Sequence, residues 1–140
     1  MSDTTADATF DAGMAVRRQV LGDDHVDRAT KGATAFTAPF QELVTRQAWG
    51  GVWTRPGLDR RTRSCLVVAL LAALHCENEL PMHIRGALRN GVTPTELQEV
   101  LLQVAVYAGV PAANSAFAVA QRTLAEAGVP EAQRPAPADG

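Results

Sequence analysis

The sequence predicts an all-α protein of about six helices. Apolar residues recur at helical spacing through most of the chain, and no segment alternates apolar and polar residues for long enough to indicate a strand. Helix start and stop signals separate the helical stretches. At 140 residues, with 46% hydrophobic and 20% charged residues, the chain has the size and composition of one globular domain.

The N-terminal half predicts two helices joined by a charged loop. Apolar spacing over residues 10–21 indicates a first helix that Gly22 ends, and residues 23–28 read as a loop. A second helix face follows over residues 36–48. The polar stretch 1–8 and the proline-containing stretch 128–140 are expected to be disordered, which leaves residues 9–127 as the folded body.

A turn and a capping residue introduce the middle of the chain. Pro56-Gly57 is a turn signature, and Asp59 stands where an N-cap belongs, before an almost wholly apolar helix over residues 60–74 that we expect to be central and buried. Because Pro81 is not tolerated deep inside a helix, we expect a break near residues 76–79 and a new helix over residues 80–89.

The last two helices have clear boundaries in the sequence. Asn90-Gly91 ends the preceding helix, and Thr93-Pro94-Thr95-Glu96 is a capping box with proline at the first helical position. That helix reaches Gly109, and Pro111 opens the final helix, which ends at Gly128.

Composition excludes several function classes. The net charge of −2 and the aromatic content of 5% argue against a nucleic-acid binder. The longest apolar run, residues 66–74, is too short to span a membrane, and the polar N-terminus does not resemble a signal peptide. We therefore expect a cytoplasmic protein without nucleic-acid or membrane partners.

The first candidate site lies around the predicted helix break. His83 follows Glu79 by four residues, and a carboxylate that close can orient an imidazole and favour its protonated form, as a general acid requires. The alternative is that His83 only packs or faces solvent. His75, Glu79 and His83 also have the spacing of metal ligands, but Pro81 interrupts the helix that such a site needs, so we expect no metal.

The second candidate site is rich in tryptophan and arginine. Trp49, Trp53 and Arg55 could form an apolar wall beside a guanidinium that binds a carboxylate, although tryptophans in such positions also serve packing alone. His25 and Arg28 occupy a charged segment that by itself is typical of a solvated turn. Tyr107 and Asn114 are polar side chains at a helix connection that could point into a pocket.

Several sequence runs, in one order and with matching spacing over residues 10–127, resemble the carboxymuconolactone decarboxylase family within the AhpD-like superfamily. The runs are Val20-Leu-Gly-Asp-Asp-His-Val-Asp-Arg28, Ala48-Trp-Gly-Gly-Val-Trp-Thr-Arg-Pro-Gly-Leu58, Arg63-Ser64, Met82-His83, Asn90-Gly-Val-Thr93 and Tyr107-Ala-Gly-Val-Pro-Ala-Ala-Asn114.

The resemblance implies a specific activity. It implies an AhpD-like helical fold and cofactor-independent decarboxylation of 4-carboxymuconolactone to 3-oxoadipate enol-lactone, in the protocatechuate branch of the β-ketoadipate pathway for aromatic breakdown. It also implies a dicarboxylate lactone as substrate and assembly into homo-oligomers, commonly hexamers. On this basis we expect His83 and Glu79 to be catalytic. Substrate contacts are expected from Arg55, Trp49, Trp53, His25, Arg28, Tyr107 and Asn114.

Two alternatives remain open from the sequence. Redox relatives in the superfamily use C-x-x-C followed by histidine, whereas this chain has Cys76 and then Glu79 in place of the second thiol. Without a resolving thiol a peroxidase is the weaker alternative. Another alternative is a related decarboxylase acting on a different lactone acid.

Overall fold

The computed structural model describes residues 2–138 and is all-helical over that range, without a strand. It confirms the predicted fold class, with seven α-helices instead of about six, a π-helical turn after α3 and a short 3₁₀ turn near the C-terminus. The helices are α1 Ser2–Leu21, α2 Asp23–Lys31, α3 Ala38–Val44, α4 Arg60–Ala73, α5 Leu80–Arg89, α6 Pro94–Ala108 and α7 Val110–Glu126; the π-helical turn is Thr45–Gly50 and the 3₁₀ turn is Pro130–Ala132.

The additional helix is α2, and the expectation of a loop over residues 23–28 was wrong. Acidic residues fill its first turn and Arg28 and Lys31 its last turn, which complements the helix dipole. Val26 is fully buried. Because the segment is so polar, apolar periodicity in the sequence did not indicate this helix.

Where the sequence predicts one domain, the structure comprises two compact units, with the boundary in α4 between Arg63 and Ser64. The N-terminal unit contains α1, α2, α3 and the π-helical turn. Inside it, α1 lies directly against the π-helical turn at Gly13. A Cβ atom on Gly13 would lie 2.2 Å from the carbonyl oxygen of Thr45, so only glycine allows this approach.

The C-terminal unit has a continuous apolar core formed by α4, α5, α6 and α7. Leu80, Ile84, Leu97 and Leu101 are its largest fully buried side chains. One polar contact inside this unit joins two of its helices, since the Asn90 side-chain amide donates to the hydroxyl of Ser64 at 2.9 Å.

Helix α4, which the sequence predicts to be central and buried, is buried along one face in this chain. Val68 and Ala72 are buried, whereas Leu66 and Leu70, and Leu74 just after the helix, are 48–69% exposed. Leu102, Val106 and Tyr107 form a similar exposed face on α6. Burial of a helix is decided by its neighbours, which the apolar content of α4 alone does not reveal.

The predicted start of α4 and that of α6 are confirmed. The Asp59 carboxylate accepts a hydrogen bond from the backbone N–H of Thr62 at 2.7 Å. Hydrogen bonding to the Thr62 side chain, and then to its backbone, holds the pKa of Asp59 below its usual value. Thr93 and Glu96 form the complete capping box.

Disorder at the two ends stays a prediction. The structure places Ser2–Leu21 in one helix, so α1 begins well before residue 10, and the segment after Gly128 contains the 3₁₀ turn Pro130–Ala132. Residues 1, 139 and 140, which the predicted disordered ends include, lie outside the described residues.

Candidate active site

The C-terminal unit places Glu79 and His83 at the start of α5, after the predicted break. Residues 74–79 form a turn, and Glu79 is the N-cap residue of α5. The Glu79 side chain makes no capping hydrogen bond and is exposed, so its carboxylate is not occupied by its own helix. His83 lies in the first turns of the same helix and is half-buried. The structure keeps the spacing of four residues between this carboxylate and the imidazole, and their acid–base role stays a prediction.

His75 lies at the other end of this turn in an unusual backbone conformation. Its φ of 58° is in the left-handed region, and His75 is the one residue other than glycine with a positive φ among the described residues. Its backbone N–H donates to Ala72 and that of Cys76 donates to Leu71, which is the hydrogen-bond pattern of a Schellman C-cap. The ring Nδ1 lies 3.6 Å from the carboxylate of Glu77. A strained residue therefore ends α4 immediately before the segment of Glu79 and His83.

Both cysteines, Cys65 and Cys76, are free thiols and partly buried. Cys76 Sγ lies 3.7 Å from the carbonyl oxygen of Leu74, a local contact of the turn. The turn contains Glu79 where a redox relative would have its second cysteine.

Tyr107 and Asn114 lie on the surface of the C-terminal unit. Tyr107, near the end of α6, is 83% exposed, and Asn114 on α7 is also exposed. The connection between their helices is tight, because Gly109 has a φ of 110° and α7 begins at Val110. The part these two residues have in substrate binding stays a prediction.

In the N-terminal unit, Trp49 and Trp53 pack against each other. Their ring centroids are 4.9 Å apart with an interplanar angle of 28°, and both side chains are more than nine-tenths buried. The π-helical turn and the turn after it create this stack, since Val52 and Trp53 both donate to the carbonyl of Ala48. The observed contact is packing, and the apolar wall for a substrate stays a prediction.

Arg55, Arg28 and His25 are the polar candidates of the N-terminal unit. Arg55 is exposed, and its backbone carbonyl accepts a hydrogen bond from Arg63 at 3.1 Å. Arg28 is exposed and His25 is half-buried, both on α2. The guanidinium groups of Arg55 and Arg28 have no ion pair among residues 2–138, so each is available to a carboxylate.

Each unit contains a cavity that the sequence did not predict. One, of about 370 Å³, lies in the N-terminal unit and is lined by Arg17, Gln41 and Thr45 among others. The other, of about 360 Å³, lies in the C-terminal unit between α6, α7 and the segment from Val129 to Arg134. None of the nine predicted site residues lines either cavity. Arg17 has a sequence signal that was available, because it occupies the apolar register of Met14 and Leu21 in α1.

No helix within residues 2–138 is long and apolar enough to cross a bilayer. The same range contains no group of three histidine, cysteine or acidic side chains that could hold a metal ion.

Together these features define an all-helical protein whose polar candidates lie near helix ends and in turns. Comparison with known proteins identifies its family: the pattern of the carboxymuconolactone decarboxylase family matches residues 38–122. The chain belongs to this family, as its resemblance indicated.

Two relatives match most of the chain. It is 44% identical over 120 residues to the 4-carboxymuconolactone decarboxylase of Acinetobacter baylyi. The aligned segment covers 86% of this chain and 90% of the relative. It is 47% identical over 127 residues to the nitrosuccinic acid decarboxylase npaB of Metarhizium robertsii. That alignment covers 88% of this chain and 89% of the relative.

Proposed function

We propose that this chain catalyses the cofactor-independent decarboxylation of 4-carboxymuconolactone to 3-oxoadipate enol-lactone. The similarity to the Acinetobacter enzyme, which extends over nearly the full length of both proteins, is the observation that supports this substrate. The reaction belongs to the protocatechuate branch of the β-ketoadipate pathway, and we expect it to take place in the cytoplasm.

The substrate contains its own electron acceptor. When the bond between the ring carbon and its carboxylate breaks, CO₂ leaves and the electron pair moves through the ring double bond into the lactone carbonyl. The resulting dienolate takes one proton at the carbon next to the carbonyl. The protein therefore has to bind the acetate arm, stabilise the developing negative charge and deliver a proton, and none of these tasks requires a metal or an organic cofactor.

The residues of the C-terminal unit fit the proton delivery. We assign the proton donor to His83 and the orientation of its imidazole to Glu79. The uncapped carboxylate at the start of α5 supports this assignment, since a nearby negative charge favours the imidazolium form.

The residues of the N-terminal unit fit the binding of a dianion. Arg55 pairs with a substrate carboxylate through its planar fork, and Trp49 and Trp53 give the site an apolar side. We assign further substrate contacts to His25 and Arg28 of this unit, and others to Tyr107 and Asn114 of the C-terminal unit. Exposure of Arg55, Arg28, Tyr107 and Asn114 is what supports their availability to a ligand.

We also propose that the chain works as a homo-oligomer, with a hexamer as the expected size. Leu70, Leu74, Val106 and Tyr107 are each more than half exposed, as are Phe36 and Phe40. So much exposed apolar surface is unusual in a monomer. Light scattering that reports a 15 kDa monomer at micromolar concentration would contradict this part of the proposal.

Nitrosuccinic acid is the second candidate substrate, because the identity to the fungal decarboxylase is of the same size. It is also a dicarboxylic acid, and the nitro group beside one carboxylate can accept the electron pair that CO₂ leaves behind. The two candidates therefore share one reaction type and differ in the shape of the acid and the nature of the electron acceptor.

A parallel assay separates the two substrates. Purified protein without added cofactor is incubated with each acid, and CO₂ release and product formation are followed by NMR. We expect turnover of 4-carboxymuconolactone at a kcat/KM at least about 100-fold above that of nitrosuccinic acid, a difference of about 2.7 kcal/mol. The reverse ratio would assign the second substrate, and peroxide consumption without decarboxylation would assign the thiol alternative. The double variant Cys65→Ser, Cys76→Ser should retain more than a tenth of the decarboxylase activity.

The first variant to test is His83→Gln. We expect kcat to fall by at least about 100-fold, in the range of general acid catalysis, while the protein stays folded by circular dichroism. Glu79→Gln should reduce kcat less, because the imidazole remains but loses the carboxylate proposed to orient it. A wild-type kcat in His83→Gln would exclude His83 as donor, with His25 next and Tyr107 after it.

The second variant is Arg55→Lys, with Arg122→Lys on α7 as its matched control. Lysine keeps the charge but cannot form two parallel hydrogen bonds to a carboxylate, so kcat/KM should fall by at least about tenfold. The control variant removes an exposed arginine outside the predicted site and should keep wild-type kinetics. Unchanged kinetics in Arg55→Lys would assign this arginine to packing or assembly.

A further inference from the structure

The cavity of the N-terminal unit contains a buried positive charge that the proposed reaction does not use. Arg17, in the middle of α1, is only 6% exposed and lines the cavity of about 370 Å³ together with Phe10, Met14, Gln41 and Thr45. That volume lies in the range of small-molecule sites in proteins.

The partners of Arg17 are all neutral. Its two terminal nitrogens donate to the Gln41 side-chain carbonyl at 2.9 Å and to the Thr45 hydroxyl at 3.4 Å. Its Nε is buried and has no hydrogen-bond partner within residues 2–138. Burial and the neighbouring charge of Arg18 both lower the pKa of Arg17, as expected for a cation that lacks a counter-charge.

The nearby carboxylates are already paired with other arginines. Arg18 binds Asp23 and Asp27 at 3.2 and 2.9 Å. Arg46, which also lines the cavity, binds Glu42 at 3.0 Å and lies 3.9 Å from Asp7. Among the described side chains, Arg17 is thus a cation whose charge is buried without a counter-charge, a costly arrangement unless an anion is bound.

We propose that the cavity between α1, α2 and α3 binds a small organic monocarboxylate, with Arg17 as its counter-charge. The cavity would then be a second acid-binding site, since none of its lining residues belongs to the predicted active site. The proposal does not depend on the identity of the decarboxylase substrate.

The lining determines the chemical class of the ligand. One guanidinium fork matches one carboxylate. Arg46 in the same wall already pairs with Glu42, so the described residues of the wall offer no second free cation for a dianion or a phosphate. The rest of the wall offers apolar contacts from Phe10 and Met14, so the preferred ligand has an apolar body.

The site also contacts an element that holds a predicted substrate residue. Thr45, which accepts from Arg17, is the first residue of the π-helical turn that contains Trp49. An acid bound to Arg17 would therefore lie against this turn, and its arrival should alter the environment of the two stacked tryptophans.

The experiment is an NMR titration of ¹³C-methyl-methionine protein with cyclohexanecarboxylate at constant ionic strength. Met14 lines the cavity, while Met82 on α5 is an internal control in the other unit. We expect a saturable shift of the Met14 methyl with cyclohexanecarboxylate, none with cyclohexanecarboxamide, and no shift of Met82. Equal shifts with the acid and the amide would indicate an apolar cavity only and would overturn the proposal, as would the absence of any saturable shift.

Two variants test the role of the charge. Arg17→Gln should weaken cyclohexanecarboxylate at least about tenfold, the loss expected for charge-assisted hydrogen bonds. Gln41→Glu places a carboxylate where the Arg17 fork already donates. It should therefore raise the unfolding midpoint and weaken the binding of cyclohexanecarboxylate at least about tenfold. Glu42→Gln, the matched change of one charge in the same wall, should not weaken binding.

The Gln41→Glu variant keeps the test decisive if Arg17→Gln fails to fold. Unchanged affinity in Gln41→Glu would overturn the proposal. If wild type binds no acid and Gln41→Glu changes the elution volume of the protein, the counter-charge comes from a second copy of the chain, which would also overturn it.

Discussion

The two units differ in the residues that form their interiors. The C-terminal unit buries a continuous set of aliphatic side chains, and its buried polar residues, Ser64 and Thr123, both have hydrogen-bond partners. The N-terminal unit buries the stacked pair Trp49 and Trp53 together with Arg17, whose charge has no counter-charge among the described residues. The C-terminal unit should therefore depend mainly on aliphatic packing for its stability. The N-terminal unit also buries Val20 and Val26, and its stability should depend in addition on the close backbone approach at Gly13 and on hydrogen bonds.

The two tryptophans provide a way to observe this difference. Both belong to the N-terminal unit, so tryptophan fluorescence reports on its unfolding, while circular dichroism reports on helices of both units. Separate midpoints in urea would sharpen the comparison, and coincident midpoints would show that the units unfold together.

The largest effect is expected from Ile84→Ala in the C-terminal core. Ile84 is fully buried, so its truncation should reduce the free energy of unfolding by about 2–5 kcal/mol through lost burial and the cavity left behind. The circular-dichroism midpoint in urea should fall more than the fluorescence midpoint. Leu58→Ala, at a half-exposed position, is the control and should move neither midpoint by much. A loss below about 1 kcal/mol for Ile84→Ala would contradict the dependence of the C-terminal unit on apolar packing.

A smaller loss is expected from Gly13→Ala in the N-terminal unit. The added methyl group would meet the carbonyl of Thr45 and the backbone of Gly50, which should cost about 1–3 kcal/mol, as overpacking does. The fluorescence midpoint should fall first, because the π-helical turn that contains Trp49 has to move. Gly57→Ala is the control, since nothing lies within 4 Å of its added Cβ. Wild-type fluorescence midpoints in Gly13→Ala would show that this approach is not required.

The smallest effect is a gain, expected from His75→Gly. The same C-cap hydrogen bonds end α4 and α5, but α5 has Gly91 at the left-handed position where α4 has His75. Glycine removes the strain of a side chain there, so stability should rise by about 1 kcal/mol.

The matched change, Gly91→Ala, should lower stability by about 1 kcal/mol. If the strain at His75 helps to position the segment of Glu79 and His83, His75→Gly will also lower kcat despite its greater stability. Lower stability of His75→Gly in urea would show that contacts of the imidazole, such as that with Glu77, outweigh the strain.

Local signals in the sequence determined most of the helical boundaries. The capping box at Thr93, the cap at Asp59 and the break before Pro81 act over a few residues, so the sequence predicts them without knowledge of the fold. The runs shared with the decarboxylase family likewise indicated the family that the comparisons confirm.

Tertiary structure alone decided which faces are buried. The short helix α2 forms around one buried valine, and α4 leaves Leu70 exposed. Each of these outcomes depends on which other segments pack nearby. Those segments are distant in the sequence, so the residues next to a position do not reveal its burial. The close approach at Gly13, which joins two segments more than thirty positions apart, has the same origin.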